Sequence, residues 1–292
     1  MRPITGKTKA ALRGVIGVIA LVLFFGLPHV LPGAPGTASV DAPLEIHVID
    51  VGQGDAMLLM SEDATILIDA GTNQSEGTLR AHLDFCDVER IDYFVISHPH
   101  EDHMGGADMV LREYDVQTLI MLDLAPDADV GMSFTTALLQ SEAQVLVPAA
   151  GEVLELGDLR LIVLAPPEGG FSDGNDNSLV VRCEYGDVSL LAVGDAERDV
   201  EAWLLTNADA SLLDVDLLKA GHHGSATSTS ADFLAALTPD YVTISCGRGN
   251  TYNHPVQSVL DAIAAAGAVA CRTDVDGTLV FASDGVDLWR VR

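Results

Sequence analysis

The sequence predicts a mixed α/β protein in which two sheets are covered by helices. Three observations carry that prediction. Short runs rich in β-branched and aromatic residues alternate with segments of helical periodicity throughout residues 44–292. Several of those runs are short pairs followed by crossovers, the order that builds a layered α/β domain. At 292 residues the chain also has room for a core that needs no covalent staples.

The N-terminus differs in kind from the rest. Arg2, Lys7, Lys9 and Arg13 precede an apolar run from Val15 to Leu27, the pattern of an export signal or a membrane anchor over residues 1–31. Residues 10–31 are long enough to span a bilayer but are interrupted by Arg13, Pro28 and His29. The shorter uninterrupted core suits a cleavable signal, with Thr37-Ala38-Ser39 supplying small residues for cleavage. Both alternatives place the remainder outside, secreted or tethered to the membrane at the cell surface. Residues 32–43, rich in proline and glycine, form a linker. Residues 44–292 form the domain.

Within that domain, strands are expected at 46–51, 56–60, 65–69, 93–97, 118–121, 144–147, 159–164, 178–185, 188–193, 215–219, 241–245, 268–272, 278–282 and 286–290. Tyr93-Phe94-Val95-Ile96 is a short apolar run of a buried strand, and Val188 to Val193 needs both faces covered. Helical spacing falls at 78–85, 106–113, 133–142, 196–205, 231–237 and 255–266. Ala107, Val110 and Leu111 mark one such face, and Pro255 suits a first helical turn.

All 43 acidic residues lie beyond residue 40, whereas the four basic residues named above precede it. The formal net charge is −28, and Lys219 is the one lysine after residue 40. Such a surface suits very high salt, where screening is short-ranged, as in a halophile. In dilute buffer it would repel nucleic acid. Cys86, Cys183, Cys246 and Cys271 show no CxxC spacing, which argues against a zinc knuckle. Cys246 and Cys271 sit at strand-like stretches that would allow a bridge, with buried free thiols the competing reading.

The chemistry concentrates in Ser97-His98-Pro99-His100-Glu101-Asp102-His103, at the junction of a strand and a helix. Imidazole nitrogen and carboxylate oxygen are ligands for zinc, manganese or iron, and a strand-to-helix turn can curl them toward one point. Three further strand ends carry compatible groups. Asp69 could accept a hydrogen bond from a ligand histidine. Asp195, after Gly194, could bridge two cations. His222 and His223, between Gly221 and Gly224, offer one ligand and one group for substrate or leaving-group protonation, in an order the sequence leaves open. His254 precedes a helix in a loop. Asn177 and Ser178 read as a turn, and Lys219 as a strand residue. His29, His47 and His82 are read as structural.

Taken together, the central motif, Asp69, Gly194-Asp195 and the histidine pair occur in the order seen in the metallo-β-lactamase superfamily. His47 to Ala56, Asn177-Ser178, Lys219 to Ser225 and His254-Pro255 look like the soluble domain of the DNA-uptake competence protein ComEC. They also look like its relative, the teichoic-acid phosphorylcholine esterase. The resemblance covers about residues 44–290 and implies a four-layer αββα sandwich with two divalent metal ions, zinc or manganese, at the sheet edge. Carried over by position, it assigns His98 and His100 to the first metal. Asp102 and His103 go to the second with one of the histidine pair, taken here as His222 though the order stays open, and Asp195 is the bridge. Asp102, His223 and His254 take catalytic roles. Asp69, Gln53, Asp55, Asn177, Ser178 and Lys219 become support or substrate groups. One departure is informative. Many members supply a third histidine to the first metal, but no histidine lies between His103 and Asp195. The vacant position suits water or a phosphate oxygen and argues against β-lactamase activity.

The expected function is an extracytoplasmic phosphodiesterase or nuclease using a dimetal-activated water on a phosphodiester such as DNA. One alternative keeps the metals and takes a small lactone, thioester or other ester. A second is a non-catalytic metal-binding module. No protein partner is inferable, and a single apolar segment argues against a role as a transport channel.

Overall fold

The structure, a computed structural model, describes residues 42–126 and 128–292. The expected signal or anchor at residues 1–31, and residues 32–41 of the linker, lie outside the described residues. No described helix is long and apolar enough to cross a membrane.

Two sheets form the centre. The first takes β1 (Leu44–Val48), β2 (Met57–Ser61), β3 (Thr65–Ile68), β4 (Arg90–Val95), β5 (Asp115–Ile120) and β6 (Gln144–Leu146) from the first half of the domain. The second takes β7 (Val153–Leu156), β8 (Leu159–Ala165), β9 (Val180–Tyr185), β10 (Val188–Ala192), β11 (Leu217–Lys219), β12 (Tyr241–Ile244) and β13 (Val269–Arg272). The chain then returns to the first sheet with β14 (Leu279–Ser283) and β15 (Leu288–Arg290), so the orders are β15-β14-β1-β2-β3-β4-β5-β6 and β13-β12-β11-β10-β9-β8-β7.

The helices are α1 (Glu76–Phe85), α2 (Glu101–Met104), α3 (Ala107–Glu113), α4 (Ala128–Gln140), α5 (Arg198–Asn207), α6 (Ala231–Leu237), α7 (Gln257–Ala265) and α8 (Thr273–Asp276). Period-two alternation decides which side chain goes where. Ile46, Val48, Ile66, Ile68, Leu190 and Ala192 enter the core between the sheets, with Phe281 from β14. Leu58 and Leu67 face the other way and pack with Leu79 and Leu83 of α1 and Val110 of α3. Leu191 and Val193 likewise pack with Val200 and Leu204 of α5 and Phe233 of α6. Three apolar layers separated by two sheets give the αββα order expected from the sequence.

The topology also explains why the polar groups meet. β3, β4 and β5 are parallel neighbours, as are β10, β11 and β12. Parallel strands end at the same sheet edge, so the segments after β3, β4, β10, β11 and β12 emerge side by side.

Every expected strand has a counterpart, with ends shifted by a few residues. β7 was not expected. It is four residues long, half exposed and folded back on β8 through Gly157, and Glu155 breaks its apolar run. α4 starts before the expected residue 133, and α7 begins at Gln257, after Pro255 rather than at it. All four cysteines are free thiols.

Candidate metal centre

The turn after β4 supplies His98, His100, Asp102 and His103. The imidazoles of His98 and His100 face each other, His98 Nε2 lying 2.9 Å from His100 Nδ1. His98 and His103 rings stand 4.1 Å apart, His103 and His223 5.3 Å, His222 and His223 6.1 Å, and His222 and His254 5.6 Å. The rings thus form a continuous arc from the motif turn to the loop before α7.

Carboxylates and carbonyls behind the arc fix ring orientation. Asp69, at φ 59°, accepts from the Ser97 amide at 2.7 Å and the Ser97 hydroxyl at 2.8 Å, and its Oδ2 lies 2.9 Å from His103 Nδ1. A proton on His103 Nδ1 leaves Nε2 free on the pocket side, as when a carboxylate orients a metal-ligating histidine. His223 Nδ1 lies 3.0 Å from the Ser245 carbonyl, which sets the same tautomer. His222 Nδ1 is 2.9 Å from Glu197 Oε1. His222 and His223 both have left-handed backbone, at φ 46° and 54°, so consecutive side chains turn toward one pocket at a cost in strain.

Asp195 lies at the centre. Its Oδ1 is 3.2 Å from His103 Nε2, and its Oδ2 is 3.6 Å from Nε2 of both His222 and His223. Asp102 Oδ2 is 3.1 Å from His223 Nε2. The bend that delivers Asp195 requires Gly194, at φ 54°, because a Cβ there would meet Ser178 Cβ and Ser97 Cβ at 2.9 Å. Lys219 pairs with Asp55, donates to the Gly194 carbonyl at 2.9 Å and stands 3.8 Å from Asp195.

These groups perturb one another strongly. Burial raises the Asp195 carboxyl, but His223 and His103 outweigh it and hold it well below the usual range. Burial lowers His103, yet Asp195, Asp69 and Asp102 drive it well above its usual value. Asp102 resists burial through His103 and His223 and sits at about 2, while His223 rises to about 9 beside Asp195 and Asp55. The carboxylates around His103 and His223 thus make a concentrated negative field that favours positive charge at this point. A divalent cation supplies such charge in place of protons.

The donor set fits such a cation. His103 Nε2 and Asp195 Oδ1 are buried, adjacent and without a hydrogen bond. Asp55, His103, Asp195 and His223 form a compact cluster of possible ligands. Within it, Asp55 approaches the Nδ1 edges of His103 and His223, each at 3.6 Å, behind the rings and against Lys219. Asp102 faces the open Nε2 edges, so Asp102 suits ligation and Asp55 suits support.

The other expected residues divide. Of the histidine pair, His223 is the buried member, held between the Ser245 carbonyl and Asp102. His222 remains at the mouth with a quarter of its side chain exposed. His254 joins the rim through His222 and stacks on Tyr252. Ser178 comes from the stretch between His103 and Asp195 that holds no histidine. It lies 3.3 Å from His98 Nδ1 and accepts from the Asp195 amide at 3.0 Å. Asn177 turns away and binds the 171–173 loop. Gln53 accepts from the Gly247 amide and braces the loop after β12. Ser97, Glu197 and the Ser245 carbonyl were not anticipated. Ser97 adjoins the motif, but Glu197 and Ser245 carry no signal of their own.

Residues 49–248 match the metallo-beta-lactamase superfamily. The chain is 30% identical over 259 residues to ComE operon protein 3 of Bacillus subtilis, covering 81% of this chain and 33% of that protein. It is 30% identical over 253 residues to competence protein ComA of Neisseria gonorrhoeae, covering 85% and 34%. It thus spans about a third of the length of these curated relatives. The metallo-β-lactamase fold protein YhfI from Bacillus subtilis superposes with a TM-score of 0.55 at 12% identity, over 85% of this chain and 99% of that one.

Proposed function

This chain belongs to the metallo-β-lactamase superfamily, and from that premise we propose that it is an extracytoplasmic metal-dependent phosphodiesterase or nuclease. Its curated relatives are ComEC-family competence proteins. The observation that carries the reading is the buried, unsatisfied pair His103 Nε2 and Asp195 Oδ1 at the centre of an arc of imidazoles.

Two divalent cations, zinc or manganese, complete the pocket in this reading. His98 and His100 would hold one, Asp102, His103 and His223 the other, and Asp195 would lie between them. When bound, such a pair supplies Lewis acidity and lowers the pKa of a nearby water. The residues around it perform the rest. Asp69 and Ser245 keep His103 and His223 in the tautomers that present Nε2. With no histidine between His103 and Asp195 to add a ligand, the His98–His100 side stays open to a substrate oxygen in this reading. His222, oriented by Glu197, and His254 stand at the mouth, where a proton must reach the departing oxygen. Burial, with His222 and His223 nearby, lowers the His254 pKa, so its neutral form dominates and can relay a proton.

DNA is the proposed polymer, supported by the similarity to competence proteins. The N-terminal basic-then-apolar segment supports placement outside the cytoplasm. The test is hydrolysis of bis(p-nitrophenyl) phosphate and DNA by the purified protein with manganese or zinc in high salt, against Asp102→Ala. Cleavage by wild type alone is expected. Wild-type protein that holds two cations, leaves both phosphodiesters intact and cleaves a lactone or thioester would overturn the phosphodiester reading.

A further inference from the structure

The strand-end pocket does not use every metal-competent side chain. On the helix-facing side of β1, His47 meets His82 and Cys86 from the C-terminal end of α1. His47 Nδ1 lies 2.9 Å from His82 Nε2, and Cys86 Sγ lies 3.8 Å and 3.7 Å from those two nitrogens. His82 and Cys86 are four residues apart on the helix and so project from one face. His47 Nε2 is in turn 2.9 Å from Glu45 Oε2.

We propose that His47, His82 and Cys86 form a second metal site, distinct from the strand-end pocket, that takes a cation preferring thiolate and imidazole, with Zn²⁺ the best match. The distances suit it. Zinc–sulfur bonds of about 2.3 Å and zinc–nitrogen bonds of about 2.0–2.1 Å in a tetrahedron place ligand atoms roughly 3.3–3.6 Å apart. The three observed separations lie within a few tenths of an ångström of that range, the two imidazoles being slightly closed up. A tetrahedron with three protein ligands leaves one position for water, in keeping with the partial exposure of His82 and Cys86.

The surroundings are built accordingly. Glu45 and His47 are both buried. Glu45 accepts from His47 Nε2, which leaves Nδ1 as the lone-pair donor aimed at His82 and Cys86, the carboxylate–histidine arrangement that orients a ligand. Burial lowers both histidines to about 4, so they are neutral, the form that binds a metal. Burial also pushes the Cys86 thiol up to about 12, and ligation would expel that proton to solvent as the sulfur–metal bond forms. One thiolate and the Glu45 carboxylate together would balance a dication.

Cobalt(II) provides the test, because the strand-end pocket contains no cysteine. Cobalt-loaded wild-type protein should show a near-ultraviolet sulfur-to-cobalt charge-transfer band. Cys86→Ser should lose the band, and His82→Asn should weaken or lose it. Each variant should bind one zinc fewer than wild type after dialysis, with circular dichroism confirming the fold. Phosphodiester hydrolysis should persist in both, which separates this site from the function proposed above. A cobalt-loaded wild type without the band, or a zinc content unchanged in Cys86→Ser, would reduce the cluster to a hydrogen-bonded Glu45–His47–His82 chain and overturn the proposal.

Discussion

Asp69→Asn isolates the orienting shell from the ligands. The side chain is buried and isosteric, and asparagine tolerates the left-handed backbone at φ 59°, so the strand end should keep its shape. The amide oxygen can still accept from the Ser97 amide. The new NH₂ replaces the acceptor facing His103 Nδ1, however, and donates where the carboxylate accepted. His103 must then accept at Nδ1 and carry its proton on Nε2, 3.2 Å from Asp195 Oδ1 and on the pocket side. Changes of this orienting kind cost about 10–100-fold in metal affinity, or roughly 1.4–2.7 kcal/mol. Competition against a chromogenic chelator should show one strand-end equivalent weakened by that factor, with the urea midpoint of metal-free protein nearly unmoved. Two equivalents held at wild-type affinity would refute the argument that Asp69 acts through the His103 tautomer.

Lys219→Met leaves the buried Asp55 carboxylate without its cation and should destabilise the metal-free protein by about 3–5 kcal/mol in urea unfolding. Asp55→Asn added to it should recover much of that loss. Burial raises the thiols of Cys183 and Cys246 to about 12, so at pH 8 both remain protonated. Mass spectrometry should find both unalkylated by iodoacetamide in native protein and modified after unfolding. With a formal net charge of −28, DNA cleavage should rise as salt is added from dilute buffer toward molar concentrations, the reverse of ordinary nucleic-acid binding. Hydrolysis of a small uncharged ester, followed in parallel, would report any general effect of salt on folding.

Much of this was legible in the sequence because each signal was local. His98, His100, Asp102 and His103 share one turn, and Gly194-Asp195 and Gly221 to Gly224 announce strand exits through glycine. Period-two alternation with both faces apolar, as in β10, identifies strands covered on both sides. What the sequence did not reveal depends on partners far apart in the chain. Which of His222 and His223 is buried follows from the Ser245 carbonyl and Asp102, and neither marks the pair beforehand. Glu197 is one acid among 43 until α5 brings it against His222. Asn177, grouped with Ser178 by adjacency, serves its own loop because neighbouring side chains in a turn point apart. His47, His82 and Cys86 look unremarkable singly, since a strand and a helix end must pack before they form a cluster.

The most direct measurement titrates chelator-stripped protein with manganese or zinc in the Cys86→Ser background, so that only the strand-end pocket is counted. Bound metal and bis(p-nitrophenyl) phosphate hydrolysis are followed together. Two equivalents should bind, with activity saturating as the second fills. Full activity with no cation bound, or two bound cations with no phosphodiester cleavage under any salt condition, would contradict the proposed dimetal phosphodiesterase.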